Sequence, residues 1–148
     1  GLVRKEKYEL PPEAIREMII NAHCHRNLLD ESCIQVAVYD DRLEVTSPGG
    51  LYNGLTYEEV MNGHSKIRNK AIANIFSQMG LVEAWGSGIK RILNAAKEYG
   101  LPEPKFQEFD NMFRVELFRN FLPMTSENKH IGETSEKHRR NIGETWNS

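Results

Sequence analysis

The chain has little of what would assign it at a glance. It holds two cysteines, Cys24 and Cys33, in 148 residues. They form no CxxC pair, so both read as reduced thiols of a cytoplasmic protein. It has no basic excess: 19 Lys and Arg stand against 21 Asp and Glu, a net charge of −2. That balance speaks against a generally basic nucleic-acid binder. No run approaches the ~18 apolar residues of a membrane span, and there is no secretory signal. The GxxxxGK[ST] loop is absent, which excludes a P-loop nucleotide site. Gly86-Ser87-Gly88 lacks the third glycine of the dinucleotide fingerprint, and no HExxH occurs. His23-Cys24-His25 resembles a metal cluster, but successive helical side chains point about 100° apart and cannot converge on one ion. What is present supports a core: 39% hydrophobic and 27% charged residues in the size range of one domain. The chain opens on Gly1 rather than Met, so it is expected to be a piece of a longer protein.

The apolar residues fall into regular patterns. Pro11-Pro12-Glu13 predicts a helix start, with proline in the first turn and an acid at the positive end of the dipole. Ile15, Met18, Ile19 and Ala22 then make a helical stripe that fades near Asn27. Residues 33–39 alternate through Ile34, Val36 and Val38, and Leu43, Val45 and Ser47 alternate after the Asp40-Asp41 turn. Together they predict a hairpin. Thr56 caps a short helix through Val60, with Glu58 and Glu59 in its first turn. Ile72, Ile75, Phe76 and Met79 predict a helix over 69–79 ending at Gly80. Ile89, Ile92, Leu93 and Ala96 predict another over about 87–99, closed by Gly100. Residues 106–109 and 112–118 read as a second hairpin around Asp110-Asn111. The sum is an α/β two-layer sandwich: a mixed or antiparallel sheet of about four strands with helices on one face.

This unit is expected to occupy residues 1–122. Residues 123–148 carry few large apolar side chains, namely Met124, Ile131, Ile142 and Trp146, and they repeat themselves. His130-Ile131-Gly132-Glu133-Thr134 recurs as Asn141-Ile142-Gly143-Glu144-Thr145. Such a segment reads as a polar linker that buries too little surface to offset its ordering entropy. It reads alternatively as a repeat that docks on a second copy through Ile131, Ile142 and Trp146.

Three segments could carry chemistry, each beside a plainer reading. Glu17, Asn21 and His25 follow one another at i, i+4 and i+8 and line one helix face. A carboxylate and an amide oxygen in such a row can hold a hydrated cation and orient a water; the alternative is a solvated face. Ser47-Pro48-Gly49-Gly50 follows a strand, where glycines let backbone approach a ligand or simply turn the chain. Gly86-Ser87-Gly88 opens a helix, where free amides suit phosphate or merely begin the helix. Lys66, Arg68, Lys70, Lys90 and Arg91 could contact DNA directly, or be solvated.

The order of these segments resembles the GHKL ATPase fold with its Bergerat ATP site. Glu17-x-x-x-Asn21-Ala22 resembles the N-box, Ser47-Pro48-Gly49-Gly50 stands at the first glycine box, and Gly86-Ser87-Gly88-Ile89 resembles the second. Residues 51–85 would be the lid. A narrower resemblance covers about residues 8–120. Glu13-Ala14-x-Arg16-Glu17-x-Ile19-x-Asn21-Ala22 with His25-Arg26, Asp41-Arg42-Leu43-Glu44-Val45, Arg68-Asn69, Trp85-Gly86-Ser87-Gly88-Ile89 and Gly100-Leu101-Pro102-Glu103-Pro104 occur in order. They are similar to the C-terminal domain of proteins labelled transcriptional regulators or RecG-related ATP-dependent DNA helicases. In that family a Schlafen AlbA-type domain typically precedes this one, and a winged helix often follows.

The resemblance implies an ATP-binding regulatory module. Asn21 would bind Mg²⁺ that bridges to the ATP phosphates, and Glu17 would be the general base. Gly49 and Gly50, with Ser47, would pass beside the adenosine. Gly86, Ser87 and Gly88 would donate to the phosphates, with His25, Arg68 and Asn69 as further contacts. It implies at most weak ATP hydrolysis. Strand separation is not expected, since helicases of that class use P-loop motors and this chain is too short for a two-lobed one. DNA contact would then belong to neighbouring domains. Ser47-Pro48 replaces the Asp that accepts from the adenine amino group in the GHKL fold. That departure and the repeat tail support a second expectation, a non-hydrolysing scaffold that mediates oligomer or protein contacts.

Overall fold

A computed structural model describes residues 8–51, 56–62, 66–82 and 88–120. The repeat tail, Gly86, Ser87 and parts of the expected lid lie outside the described residues. The elements are α1 (Pro12–His25), β1 (Gln35–Val38), β2 (Arg42–Pro48), α2 (Tyr57–Met61), α3 (Lys70–Gln78), α4 (Gly88–Glu98), β3 (Lys105–Phe109) and β4 (Met112–Phe118).

The sheet has the order β1-β2-β4-β3, and every pairing is antiparallel. Two hairpins therefore lie side by side, joined through β2 and β4 at the centre. Asp110 and Asn111 both take positive φ, 47° and 58°. That is the conformation a two-residue hairpin turn needs, and Asp and Asn tolerate it best after glycine. The alternation of each strand then decides its two faces. Leu43, Val45, Phe106, Val115 and Leu117 point one way and meet Ala14, Met18 and Ala22 of α1 and Ile92, Ala95 and Ala96 of α4. The alanines let the two helices sit close to the sheet and to each other.

α1 is buried on two sides. Pro11 at the cap and Pro12 in the first turn start it, and Glu13 follows. Beyond the stripe that packs on the sheet, Ile20 and Cys24 pack with Ala73 of α3 in a second apolar cluster. Burial pushes the Cys24 thiol up to about 11, so it stays protonated at neutral pH. α2 begins in a reciprocal capping box, with Thr56 accepting from the Glu59 amide and the Glu59 carboxylate accepting from the Thr56 amide.

The face of the sheet away from the helices is polar yet closed over by its own side chains. Arg42, Glu44, Thr46 and Glu116 are buried there. Arg42 Nε donates to Glu44 Oε1 at 2.8 Å, Arg114 Nε donates to Thr46 Oγ1 at 2.9 Å, and the guanidiniums of Arg42 and Arg114 lie over the rings of Tyr39 and Phe109. Glu44 and Glu116 stand directly opposite each other on β2 and β4. Burial, then the hydrogen bond and charge of Glu44, raise the Glu116 carboxyl above its ordinary range, and Arg42 and Arg114 offset only part of this. Glu116 therefore holds its proton to higher pH than a carboxyl in water does. The unfolded chain gives that proton up near the ordinary carboxylate range, while the folded chain keeps it to higher pH. Stability from this group is thus full at low pH and is lost as pH rises through the raised value. The Tm of the wild type is expected to fall, as pH rises above the ordinary carboxylate range, by more than that of Glu116→Gln, which stays neutral and keeps a donor. Parallel pH dependences of Tm for the two would show that Glu116 keeps no such proton.

Candidate functional site

α1 and α4 run antiparallel and meet at two points one turn apart. At the first, the backbone of Gly88 lies against the Asn21 side chain. A Cβ on Gly88 would stand 2.7 Å from Asn21 Nδ2 and 2.9 Å from Oδ1. Its φ is not in the left-handed region, so glycine serves here for space. At the second, Arg91 Nη1 donates to Glu17 Oε1 at 3.1 Å. Glu17 is only 5% exposed. Burial raises its carboxyl above the ordinary range, and the Arg91 hydrogen bond and charge pull it part of the way back. A desolvated carboxylate, a side-chain amide and the opening turn of a helix are thus brought together. A carboxylate in such a place is a better proton acceptor than one in water.

The glycine pair after β2 sits just beyond the C-terminal end of α1, beside Asn27. The Asn27 amide donates to the Pro48 carbonyl at 2.7 Å, and the Gly49 amide to the Asn111 carbonyl at 2.6 Å. Gly49 has φ 104°, and a Cβ there would press on the Arg68 guanidinium and stand 2.9 Å from the Asn27 amide nitrogen. Arg68 Nη2 donates to the Gly50 carbonyl at 2.9 Å. The Glu108 carboxylate accepts from the Leu51 amide at 3.1 Å and fills the space a Cβ on Gly50 would need. Ser47 is buried on the helix-facing side of β2.

His25 lies between these two ends on the same face of α1. Burial lowers its imidazole below the ordinary value, the Arg68 charge lowers it further, and a hydrogen bond with the Lys66 backbone opposes both. His25 is therefore neutral at physiological pH. Its neighbours take other directions: His23 lies against Phe76, with ring centres 6.2 Å apart, and Cys24 is in the apolar cluster. Among the described residues, no group of three His, Cys, Asp or Glu side chains could hold a metal ion.

Asn69 is placed differently from a ligand contact. Its Nδ2 donates to the carbonyls of His23 at 3.0 Å and Arg26 at 2.9 Å, and its backbone amide donates to Cys24 O at 2.9 Å. Three carbonyls at the end of α1 are satisfied by one residue. Spent there, the Asn69 side chain makes no cap bond to α3, which it precedes.

The structure thus groups Glu17, Asn21 and Gly88 at one place and Ser47, Gly49, Gly50 and Arg68 at another, with His25 between. Gly86 and Ser87 lie outside the described residues. In the sequence neither Glu108 nor Asn27 is singled out, and Arg91 reads only as a DNA contact or a solvated residue. The bond of Arg91 to Glu17 spans 74 positions, and no local spacing announces it.

The comparisons agree with this architecture. The profile of the family described as "Putative ATP-dependent DNA helicase recG C-terminal" matches residues 31–117, and the chain belongs to that family. It is an ATPase-like domain of RecG-related proteins. The match begins after α1, so Glu17 and Asn21 lie outside it. Among solved structures, the crystal structure of the DIP2311 protein from Corynebacterium diphtheriae superposes with a TM-score of 0.73 at 31% identity, covering 81% of this chain and 25% of that one. The chain therefore spans about a quarter of the length of that relative. No curated protein matches it. Among the described residues, no helix is long and apolar enough to cross a membrane.

Proposed function

We propose that this domain binds Mg-ATP where α1 meets the opening of α4, and that binding regulates the larger DNA-linked protein of which it is a part. The observation that carries this reading is the fit of Asn21 against Gly88, which leaves an amide oxygen beside the first turn of α4 with no Cβ in between. Helix starts of this kind suit phosphate, and an amide oxygen suits Mg²⁺. Asn21 would hold the metal, Gly88 would admit the phosphates, and Glu17 would accept a proton from water. Bound magnesium would supply charge that neutralises the phosphates. Family membership as an ATPase-like domain supports the same reading.

A second reading, a scaffold without turnover, is favoured by a different observation. Gly49 and Gly50 abut Arg68 and Glu108 of the chain itself, and Ser47 supplies no carboxylate for an adenine. Calorimetry separates the two. The wild-type chain is expected to bind Mg-ATP, and Asn21→Ala to lose at least about tenfold in affinity, the equivalent of one charge-assisted contact. Equal affinities in the two would overturn the role of Asn21, and no heat in the wild type would leave the scaffold.

A further inference from the structure

We propose that Arg91 is the positioning residue for Glu17: from the first turn of α4 it fixes the carboxylate in one orientation inside a buried helix–helix contact and favours its charged form. The inference rests on the base role given to Glu17 above and extends it to a residue 74 positions away.

The argument is geometric. Glu17 is buried between helices, where a lone carboxylate would take up a proton to escape its desolvation. Among the described residues, the charges facing it are few. On its own helix Glu13 opposes ionisation and Arg16 assists it, both more weakly than Arg91. Beneath α1, β2 presents Leu43, Val45 and Ser47, none of them charged at neutral pH. α3 carries Lys70 alone, and Lys70 is exposed. On α4, Lys90 is exposed, while Arg91 is bonded to Glu17 Oε1. The thiol of Cys24 senses the charge of Glu17 and remains protonated. Among the described residues, Arg91 is thus the cation that most favours the form of Glu17 a base needs. One helix start, through Gly88 and Arg91, then sets both the space for Asn21 and the state of Glu17.

The test uses the whole chain with three substitutions, Arg91→Ala, Arg91→Gln and Arg91→Lys. The Glu17 carboxyl is followed by ¹³C NMR titration and assigned by its loss in Glu17→Gln. Its midpoint is expected to rise by about one pH unit or more in Arg91→Ala and Arg91→Gln, and to stay near the wild type in Arg91→Lys. In the ATPase assay kcat at pH 7 is expected to fall at least about tenfold in the first two with KM little changed. The acid limb of the pH profile should move with the NMR midpoint, and Arg91→Lys should recover most of the rate. A Glu17 midpoint that does not move in a folded Arg91→Ala or Arg91→Gln chain overturns the proposal, as does an unchanged kcat. Should Arg91→Ala fail to fold, Arg91→Gln and Arg91→Lys decide it. A wild-type chain that binds no Mg-ATP would instead overturn the function proposed above, and the NMR midpoints would still decide whether Arg91 favours the charged form of Glu17.

Discussion

Glu17→Gln is expected to leave Mg-ATP binding within about twofold of the wild type and to lower the rate of hydrolysis about 10²- to 10⁴-fold, the usual worth of a general base. Glutamine keeps the length of the side chain and can still accept from Arg91 Nη1, so the helix contact survives. It cannot take a proton from water. The effect should therefore appear in kcat and not in KM. The measurement is steady-state phosphate release, with calorimetry as the control for binding. A rate unchanged in Glu17→Gln would remove Glu17 from the chemistry. A loss of binding in the same variant would show that its role is to hold α1 and α4 together.

The largest effect on stability is expected at Gly49. Its φ of 104° lies where L side chains rarely go, and an added Cβ would meet the Asn27 backbone nitrogen. That nitrogen cannot retreat, because it donates to Pro48 O at 2.7 Å. Arg68 can swing away, but it then gives up its bond to the Gly50 carbonyl. Strained backbone of this kind costs of order 1–3 kcal/mol, with the clash in addition. Gly49→Ala is therefore expected to lower stability by about 3 kcal/mol and the Tm by roughly 10 °C. Thermal melting monitored by circular dichroism checks this. A loss under about 1 kcal/mol would mean that the turn can re-form around a side chain.

Much of the scaffold was legible because its signals are local. Pro11 and Pro12 before α1, Thr56 before α2, Asp110-Asn111 between β3 and β4, and the stripes of α3 and α4 all act within a few residues. The first strand is shorter than its alternation suggested, Gln35–Val38 rather than 33–39. The hairpins make β1–β2 and β3–β4 antiparallel, but the pairing of β2 with β4, and its antiparallel sense, depends on which faces they share. The polar row Arg42, Glu44 and Thr46 alternates as a solvated face would. Its neighbours on β4 help to close it over, and they come from the far end of the chain. The site divided in the same way. The face of Glu17, Asn21 and His25 was visible in helical spacing. The bond from Arg91 to Glu17 and the turn of Asn69 toward the end of α1 were not, since each joins residues more than forty positions apart. Spacing finds which residues share a face, and it is silent on what that face meets.

The pairing of β2 with β4 has one more consequence. Pro48 lies opposite Met112, so the central ladder closes a loop of roughly sixty residues, and the entropy of such a closure grows only with the logarithm of length. Doubling the loop would add about 0.6 kcal/mol. Arg68 on Gly50 also gathers the two ends of the stretch between them at one point of the sheet. Residues inserted or deleted in that stretch are therefore cheap for the folded state, while the α1–α4 contact beside it is held by its own packing. The domain can vary the length of that stretch without re-tuning the contact between α1 and α4.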